Sequence, residues 1–198
     1  MHEYLKFFGT NNQQETVRFL IYERGLLITR IFFAGVILTS TTAFANSTQC
    51  KDDYEKIIAK EIKDIGTALN KGNYALITEK TDSSIINYAG GKDKYNAILE
   101  LAANSFKQNK IYVSQVDTHP PKQSYIIGRN EFCAVPKQVT ISMNGRKMTG
   151  DLSFMLAVRP IESKEWKYID GAGLQKNPDM IYTLFPDFPR DNKTPFIE

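Results

Sequence analysis

The sequence predicts an α+β fold in which N-terminal helices pack in a curved antiparallel sheet of four to five strands. Two observations favour this class. Apolar residues recur at helical spacing between residues 52 and 108, and from Ile111 to Asp170 the sequence alternates and is rich in β-branched and aromatic residues. Helices that come first and are followed by a run of strands are typical of α+β domains, with the helices on one face of the sheet.

The first helix is predicted over residues 52–70. Its apolar positions follow the spacing i, i+4, i+7 and i+11, which places them in one stripe: Ile58, Ile62, Ile65 and Leu69. Asp52 and Asp53 suit the positive N-terminal end of a helix. Gly72 is expected to end the helix in a left-handed conformation.

Further helical segments are expected on either side of the strands. Residues 73–79 are expected to form a short helix, and Asp82-Ser83-Ser84 offers an N-cap for the segment after it, residues 85–89. Residues 92–108 form a second amphipathic helix that starts after a Gly-Gly break. Residues 178–184 are expected to form one more helical turn, with proline at its start.

The second half of the domain is predicted to form the sheet. The candidate strands are 111–117, 123–133, 137–143, 147–158 and 165–170. Asn144-Gly145 is the pair that type I′ hairpin turns favour. Asp170-Gly171 closes the last strand, and His119-Pro120-Pro121 suits an edge or a bulge of the sheet.

A secretory signal peptide is predicted at the N-terminus. Residues 31–38 form an apolar run after Arg30, and the sequence Ala43-Phe44-Ala45 follows. A basic residue, a short apolar core and a small-x-small site are typical of a cleaved signal, here cut after Ala45. The run of 8 residues is shorter than the roughly 20 that a membrane span needs, which makes a retained anchor the less favoured interpretation. The 29 residues before Arg30 are either a long leader or an over-extended start.

The predicted organisation therefore has three parts. Residues 1–45 are a signal peptide with a long leader, and residues 46–185 are a single α+β domain. Residues 186–198 are an extended tail that is packed against the domain or lies in solvent. We expect a periplasmic or secreted protein that has no membrane attachment after cleavage.

Composition argues against several classes of function. The 25 Lys and Arg residues against 22 Asp and Glu give a net charge of +3, which is too balanced for a dedicated nucleic-acid binder. After cleavage only Cys50, Cys133 and His119 remain, fewer than the four ligands of a structural zinc site, and no calcium-type acidic loop is present. We therefore expect no metal and no cofactor. The oligomeric state, monomer or dimer, stays open.

Cys50 and Cys133 are the two cysteines of the chain. Two cysteines in an oxidising compartment usually pair, so we expect a disulfide bond between them. This bond ties the first helix, or its lead-in, to the second predicted strand.

No catalytic constellation stands out. His119 is the one histidine that remains after cleavage, and no G-x-S-x-G nucleophile motif is present. Alternation places Trp166, Tyr168 and Asp170 on one face of the last strand, where they form a candidate pocket. In the simpler interpretation, Asp170 is a turn residue that caps the backbone after it.

Four segments carry a resemblance to a known family: Gly72-Asn73-Tyr74, Gly90-Gly91, Cys133-Ala134-Val135-Pro136 and 166–171. With this order of elements, the chain resembles the nuclear-transport-factor-2-like, or cystatin-like, superfamily, and is similar to small secreted bacterial proteins within it. The resemblance implies helices wrapped in a strongly curved sheet that forms a cone. Enzymes of this superfamily carry Asp/His or Tyr/Asp pairs in the cone, and no such pair maps onto this sequence.

Together these features predict a non-enzymatic exported bacterial protein. We expect it to bind another protein or a small apolar ligand through its sheet face or the mouth of the cone. An immunity protein that neutralises a toxin is one such case. The alternative is a small enzyme with an acid–base site in the cone that uses Asp170 and a nearby tyrosine.

The exported protein is expected to begin at Asn46, because signal peptidase cuts after a small residue that follows a short apolar core. N-terminal sequencing of periplasmic material measures this directly. A mature chain that still carries Arg30 contradicts the prediction.

Overall fold

Helices come first in the chain and antiparallel strands follow, as the sequence predicts. The computed structural model describes residues 49–122 and 124–190. The predicted signal peptide, residues 1–45, and the end of the predicted tail, residues 191–198, lie outside this part of the chain.

The N-terminal helix is continuous but changes its winding after one turn. It consists of α1 (Gln49–Asp53), a π-helical turn (Tyr54–Ile58) and α2 (Ala59–Ala68). The other helices are α3 (Tyr74–Lys80), α4 (Ser83–Tyr88), α5 (Lys92–Gln108), α6 (Gly171–Lys176) and α7 (Met180–Leu184). Within the described ranges, no helix combines the length and the apolar character that a bilayer crossing requires.

Local sequence rules account for several helix ends. Gly72 has φ +66° after the first helix, which confirms the predicted left-handed end. The Asp82 carboxylate accepts a hydrogen bond from the Ser84 backbone N–H at 2.9 Å, which confirms the predicted N-cap of α4.

The sheet is a curled half-barrel built around one long strand. Its strands are β1 (Ile111–Thr118), β2 (Ser124–Ile127), β3 (Asn130–Met143), β4 (Arg146–Thr149), β5 (Ser153–Pro160) and β6 (Lys167–Asp170). β1 and β2 pair with one edge of β3, β4 and β5 pair with its other edge, and β6 pairs with β5. All pairs are antiparallel, so the predicted α+β class with a curved antiparallel sheet is confirmed.

The predicted division into separate strands 123–133 and 137–143 is wrong, because β3 runs from Asn130 to Met143 and includes Pro136. The Pro136 carbonyl accepts a hydrogen bond from the His119 backbone N–H at 2.9 Å. In a strand, the backbone nitrogen and carbonyl oxygen of one residue point to the same edge. For Pro136 this is the edge that pairs with β1 and β2, and Pro136 lies in the gap between the end of β1 and the start of β2. Proline therefore costs the ladder no hydrogen bond at this position.

Two predicted strands are each divided in the structure. The predicted strand 123–133 contains a hairpin turn at Gly128, which has φ +58° and separates β2 from β3. The predicted strand 147–158 is interrupted between β4 and β5, where the Gly150 N–H bonds the Val139 carbonyl at 2.9 Å. The predicted Asn144-Gly145 turn is confirmed, because both residues have positive φ, +50° and +79°.

Both faces of the sheet are covered, which corrects the expectation that helices lie on one face. Successive residues of β3 alternate between two cores, with Cys133 and Val135 in one and Phe132 in the other. The first, which we call the helix-side core, contains Tyr54, Ile58 and Ile62 of the N-terminal helix. The second, the C-terminal core, contains residues that follow the sheet: Leu174, Ile181, Leu184 and Phe188.

The start of the predicted tail packs against the domain. Phe188 is buried, and its ring lies edge-on to that of Phe132, with the ring centres 5.6 Å apart. Phe185 also meets Phe132 edge-on at 4.9 Å. The sequence gives no helical or strand period here, so only the aromatic contacts reveal that these residues belong to the core.

The predicted disulfide bond is confirmed. It joins Cys50 in α1 to Cys133 in β3, with 6.0 Å between their Cα atoms. Both cysteines are fully buried in the helix-side core.

The N-terminal helix lies along β1 and contacts it at three levels. The Tyr54 hydroxyl hydrogen-bonds that of Thr118 at 3.0 Å, and Gly66 lies against the Val116 side chain. At the far end, the Asn70 side-chain amide bonds both the N–H and the C=O of Val113. The amide thereby occupies backbone groups on the unpaired edge of the sheet, where another strand could otherwise pair.

Gly66→Ala is expected to destabilise the protein by about 1–2 kcal/mol, because a Cβ at this position lies 2.6 Å from Val116 Cγ2. The better helix propensity of alanine offsets only part of the clash. The control is Gly173→Ala in α6, where a Cβ meets nothing within 4 Å. Urea unfolding measures both, and equal stability changes in the two variants contradict the close contact.

Candidate functional site

The candidate pocket residues from the sequence share a face but differ in exposure. Trp166 and Tyr168 are buried in the helix-side core, at 1% and 3% exposure, whereas Asp170 is exposed. The Trp166 indole N–H donates a hydrogen bond to the Asp53 carboxylate at 3.0 Å. Both aromatic residues therefore serve as packing surfaces for the N-terminal helix.

Tyr168 belongs to a chain of polar side chains between the helices and β6. Its hydroxyl donates to Glu61 at 2.6 Å, and the Lys80 ammonium bonds the other Glu61 oxygen at 2.5 Å. Burial raises the pKa of Tyr168 far above its usual range, and the hydrogen bond and negative charge of Glu61 raise it further. The phenol is thus kept protonated as a hydrogen-bond donor to Glu61.

Asp170 has both carboxylate oxygens engaged. One accepts from the Ala172 backbone N–H at 2.9 Å, which makes Asp170 the N-cap of α6. The other pairs with the Lys137 ammonium at 2.8 Å, and the Lys137 side chain is only 7% exposed. This agrees with the simpler interpretation that Asp170 caps the backbone after it, and it adds an ion pair that the sequence does not reveal.

The negative charge of Asp170 affects the pKa of another tyrosine, Tyr95. Its hydroxyl hydrogen-bonds that of Thr81 at 3.0 Å. Burial raises the pKa of Tyr95, the bond to Thr81 lowers it, and the charge of Asp170 raises it again. Both tyrosines near Asp170 are therefore biased toward the neutral phenol, which is unfavourable for a general base.

A buried ion pair between β3 and β5 lies beside these groups. The Arg159 guanidinium donates two bonds to one oxygen of Glu131, at 2.8 and 2.5 Å, and stacks 4.9 Å above the Trp166 ring. Glu131 and Arg159 are register partners. The sequence shows two ordinary charged residues, and only the register of the hairpin brings them together.

The described residues also form an open groove of about 510 Å³ on the other face of the sheet. It lies between α4 and the segment that ends α7, and the start of β3 and the end of β5 complete it. Its walls include residues with hydroxyl or amide side chains: Ser83, Asn87, Tyr88, Asn130 and Thr183. Apolar surface comes from Val158, Pro160, Leu184, Phe185 and Pro186.

The lining of this groove is nearly uncharged. Asp82 is its one ionisable acid, and that carboxylate already caps α4. None of the described residues that line the groove is a lysine or an arginine, the cations that bind phosphate or nucleotide groups. The groove is therefore suited to an uncharged ligand or to a neutral segment of a partner.

One polar atom beneath the groove has unused hydrogen-bonding capacity. Ser84 Oγ is buried and has no hydrogen-bond partner among the described residues. Buried hydroxyls are normally satisfied, because an unmade bond costs about 1–3 kcal/mol. From the sequence, Ser84 is only one of three candidate capping residues, because nothing in the sequence shows which hydroxyl lacks a partner.

No group of three His, Cys, Asp or Glu side chains in the described ranges is placed to hold a metal ion. His119 is exposed at the end of β1, and both cysteines are in the disulfide bond. No protein-family model, curated protein or solved structure matches this chain. The fold and the two polar regions are therefore interpreted from their own geometry.

Asp170→Asn is expected to lower the free energy of unfolding by about 1–2 kcal/mol, because it leaves the buried Lys137 ammonium without its counter-ion. Asparagine retains a capping oxygen, so α6 should form. Replacing the lysine as well, in Asp170→Asn with Lys137→Met, should recover most of the loss. Urea unfolding of the single and double variants measures this, and a double variant that is weaker than the single one contradicts the ion-pair explanation.

Stability should fall when the pH rises above about 10, the usual pKa of a free phenol, because Tyr168 ionises in the unfolded chain before it does in the native protein. This contribution is fully present below that pH. Tyr168→Phe should flatten the fall between pH 9 and 11, by up to about 1.4 kcal/mol per pH unit. Tyr112→Phe, at a residue that is 51% exposed, is the control. Parallel curves for all three proteins contradict the assignment.

Proposed function

We propose that this chain is an exported, non-enzymatic binding module of the nuclear-transport-factor-2-like superfamily. The groove between α4 and α7 is its proposed binding surface, and its proposed ligand is an uncharged molecule or a neutral segment of a partner protein. The observation that carries the proposal is the groove itself, with its hydroxyl and amide lining and, beneath it, the buried Ser84 hydroxyl that has no hydrogen-bond partner in the described part of the chain.

The superfamily assignment is supported by the curled antiparallel half-barrel and the helices packed against it, an architecture compatible with a cone. Export is supported by the buried disulfide bond, because such bonds form and persist in oxidising compartments. The periplasm is the proposed destination. An immunity protein that binds a toxin there is one specific form of this function.

The non-enzymatic part of the proposal is supported by the hydrogen bonds and ion pairs that Asp170 and Tyr168 already make within the protein. The Asp170 carboxylate is held by Lys137 and by the N-terminus of α6. The Tyr168 hydroxyl is bonded to Glu61 and not to Asp170. An acid–base pair needs a donor and an acceptor within hydrogen-bond reach of a substrate, and these groups are committed to one another.

The groove is tested by placing positive charge in it. Asn87→Lys with Thr183→Lys changes two exposed lining residues and leaves the core intact. The matched control is Asn104→Lys with Gln175→Lys, at exposed positions of α5 and α6 outside the groove. Wild-type and control proteins, exported in the native host and cross-linked there, should retain the same specific partner, and the groove variant should lose at least tenfold of it.

Melting temperatures within a few degrees of wild type show that the variants fold. A partner that the groove variant retains contradicts the proposed surface, and the absence of any specific partner contradicts the binding function. If Asp170→Asn remains folded and binds its partner but loses a measured catalytic activity, the enzymatic alternative is correct.

A further inference from the structure

The far end of the sheet carries an apolar surface that lies beyond the helix-side core. Strand register aligns two rows of side chains there, Ile111–Met143–Arg146 and Val113–Ile141–Met148. Residues two apart on a strand share a face, so both rows lie on the same side of the sheet. We call the five apolar members of these rows the distal shelf: Ile111, Val113, Ile141, Met143 and Met148.

The distal shelf faces the side on which the N-terminal helix packs. Val113 is in contact with the helix-side core, and the other four members are outside it. Four members are half-buried, and Met148 is 45% exposed. β4, the outermost of the three strands that form the shelf, is exposed at every residue. The shelf is therefore an apolar part of the sheet that extends beyond the helix-side core, past the end of α2.

Exposed cations adjoin the shelf. Arg146 belongs to one of its rows, Lys110 directly precedes Ile111, and Lys107 lies in the last turn of α5. Lys147 is also exposed but lies on the opposite face of β4. The sequence has no Asp or Glu in the segments 101–116 and 132–150, which contain the end of α5, the shelf strands and the hairpin between them. Lys137, also in these segments, is already paired with Asp170. These two segments therefore carry a positive net charge, although the whole chain is nearly balanced.

We propose that the distal shelf is a docking surface for an acidic amphipathic helix of a partner protein. The apolar face of such a helix covers the shelf, and its flanking carboxylates meet Arg146 and the neighbouring lysines. Charge complementarity of this kind steers association and fixes orientation. Met143 and Met148 have flexible, polarisable side chains, which suit a surface that must adapt to an incoming helix.

The shape of the surface favours a helix over a lipid bilayer. The N-terminal helix stands on the same face and packs against β1 beside the shelf. A helix with its side chains is about 10 Å thick, so a planar membrane is held away from the shelf by α2. A single helix can instead lie on the sheet beside α2, as α2 itself does.

A synthetic peptide of 14 residues, with leucines at helical spacing i, i+3, i+4 and i+7 and glutamate at the remaining positions, serves as the probe. Titration of the isotope-labelled protein should shift the amide signals of β4 and of the start of β1. The peptide in which lysine replaces every glutamate should bind at least tenfold more weakly, because exposed cations adjoin the shelf.

Two variants locate the site. Met148→Glu places a charge on the shelf, and Arg146→Glu reverses its rim; both residues are exposed, so neither change disturbs the core. Each should weaken binding of the acidic peptide at least tenfold, and raising the salt concentration should weaken binding to wild type. Lys176→Glu, which makes the same charge change at an exposed position of α6, should alter binding less than twofold.

Three outcomes overturn the inference. They are the absence of peptide binding, equal binding by Met148→Glu and wild type, and tighter binding to vesicles of anionic phospholipid than to the peptide. The groove variant Asn87→Lys with Thr183→Lys should bind the peptide as wild type does. Failure of the distal shelf and failure of the groove are therefore distinguishable.

Discussion

Pairing of β3 along both of its edges is the constraint on which the rest of the structure depends. Its 14 residues pair with β1 and β2 on one edge and with β4 and β5 on the other. Because side chains alternate along a strand, this one element supplies residues to both cores. The disulfide bond attaches α1 to the same strand, and closing a loop of this length stabilises the native state by up to about 4.5 kcal/mol in the chain-entropy account.

Each buried charged side chain in the described part of the chain is paired with a residue of opposite charge. Arg159 binds Glu131 at the register position opposite to it, Lys137 binds Asp170, and Glu61 is shared by Tyr168 and Lys80. An uncompensated buried charge costs several kcal/mol, so each pair requires its partner element to be in place. These pairs connect β3 to β5, β3 to β6, and α2 to both α3 and β6. Two of these contacts engage Asp170 and Tyr168, which belong to the candidate pocket predicted from the sequence.

The two proposed interaction surfaces lie at opposite ends of β3 and on opposite faces of the sheet. Asn130, at the start of the strand, lines the groove, whereas Ile141 and Met143, at its end, belong to the distal shelf. A strand of this length spans up to about 45 Å. The groove is nearly uncharged and exposed cations adjoin the shelf, so the two surfaces are suited to partners of different chemistry. Such a separation allows one domain to hold two partners at once.

Features that depend on a few neighbouring residues were determined by the sequence itself. The 92–108 helix has the predicted bounds, because its apolar spacing and the glycines before it act locally. The left-handed Gly72, the Asp82 cap and the Asn144-Gly145 turn follow from backbone preferences of single residues. The pairing of the two cysteines follows from their number and the expected compartment.

Features that depend on register and on long-range packing were decided only by the tertiary structure. Pro136 is acceptable inside β3 because the neighbouring strand is interrupted beside it, and no local rule contains that fact. The second core forms because α6, α7 and Phe188 return to the sheet, although this segment has almost no periodicity of its own. The groove and the distal shelf are each assembled from segments that are distant in sequence. Each surface exists because the folded chain leaves certain residues uncovered. Which residues are uncovered depends on how distant segments pack, so the sequence pattern alone does not show it.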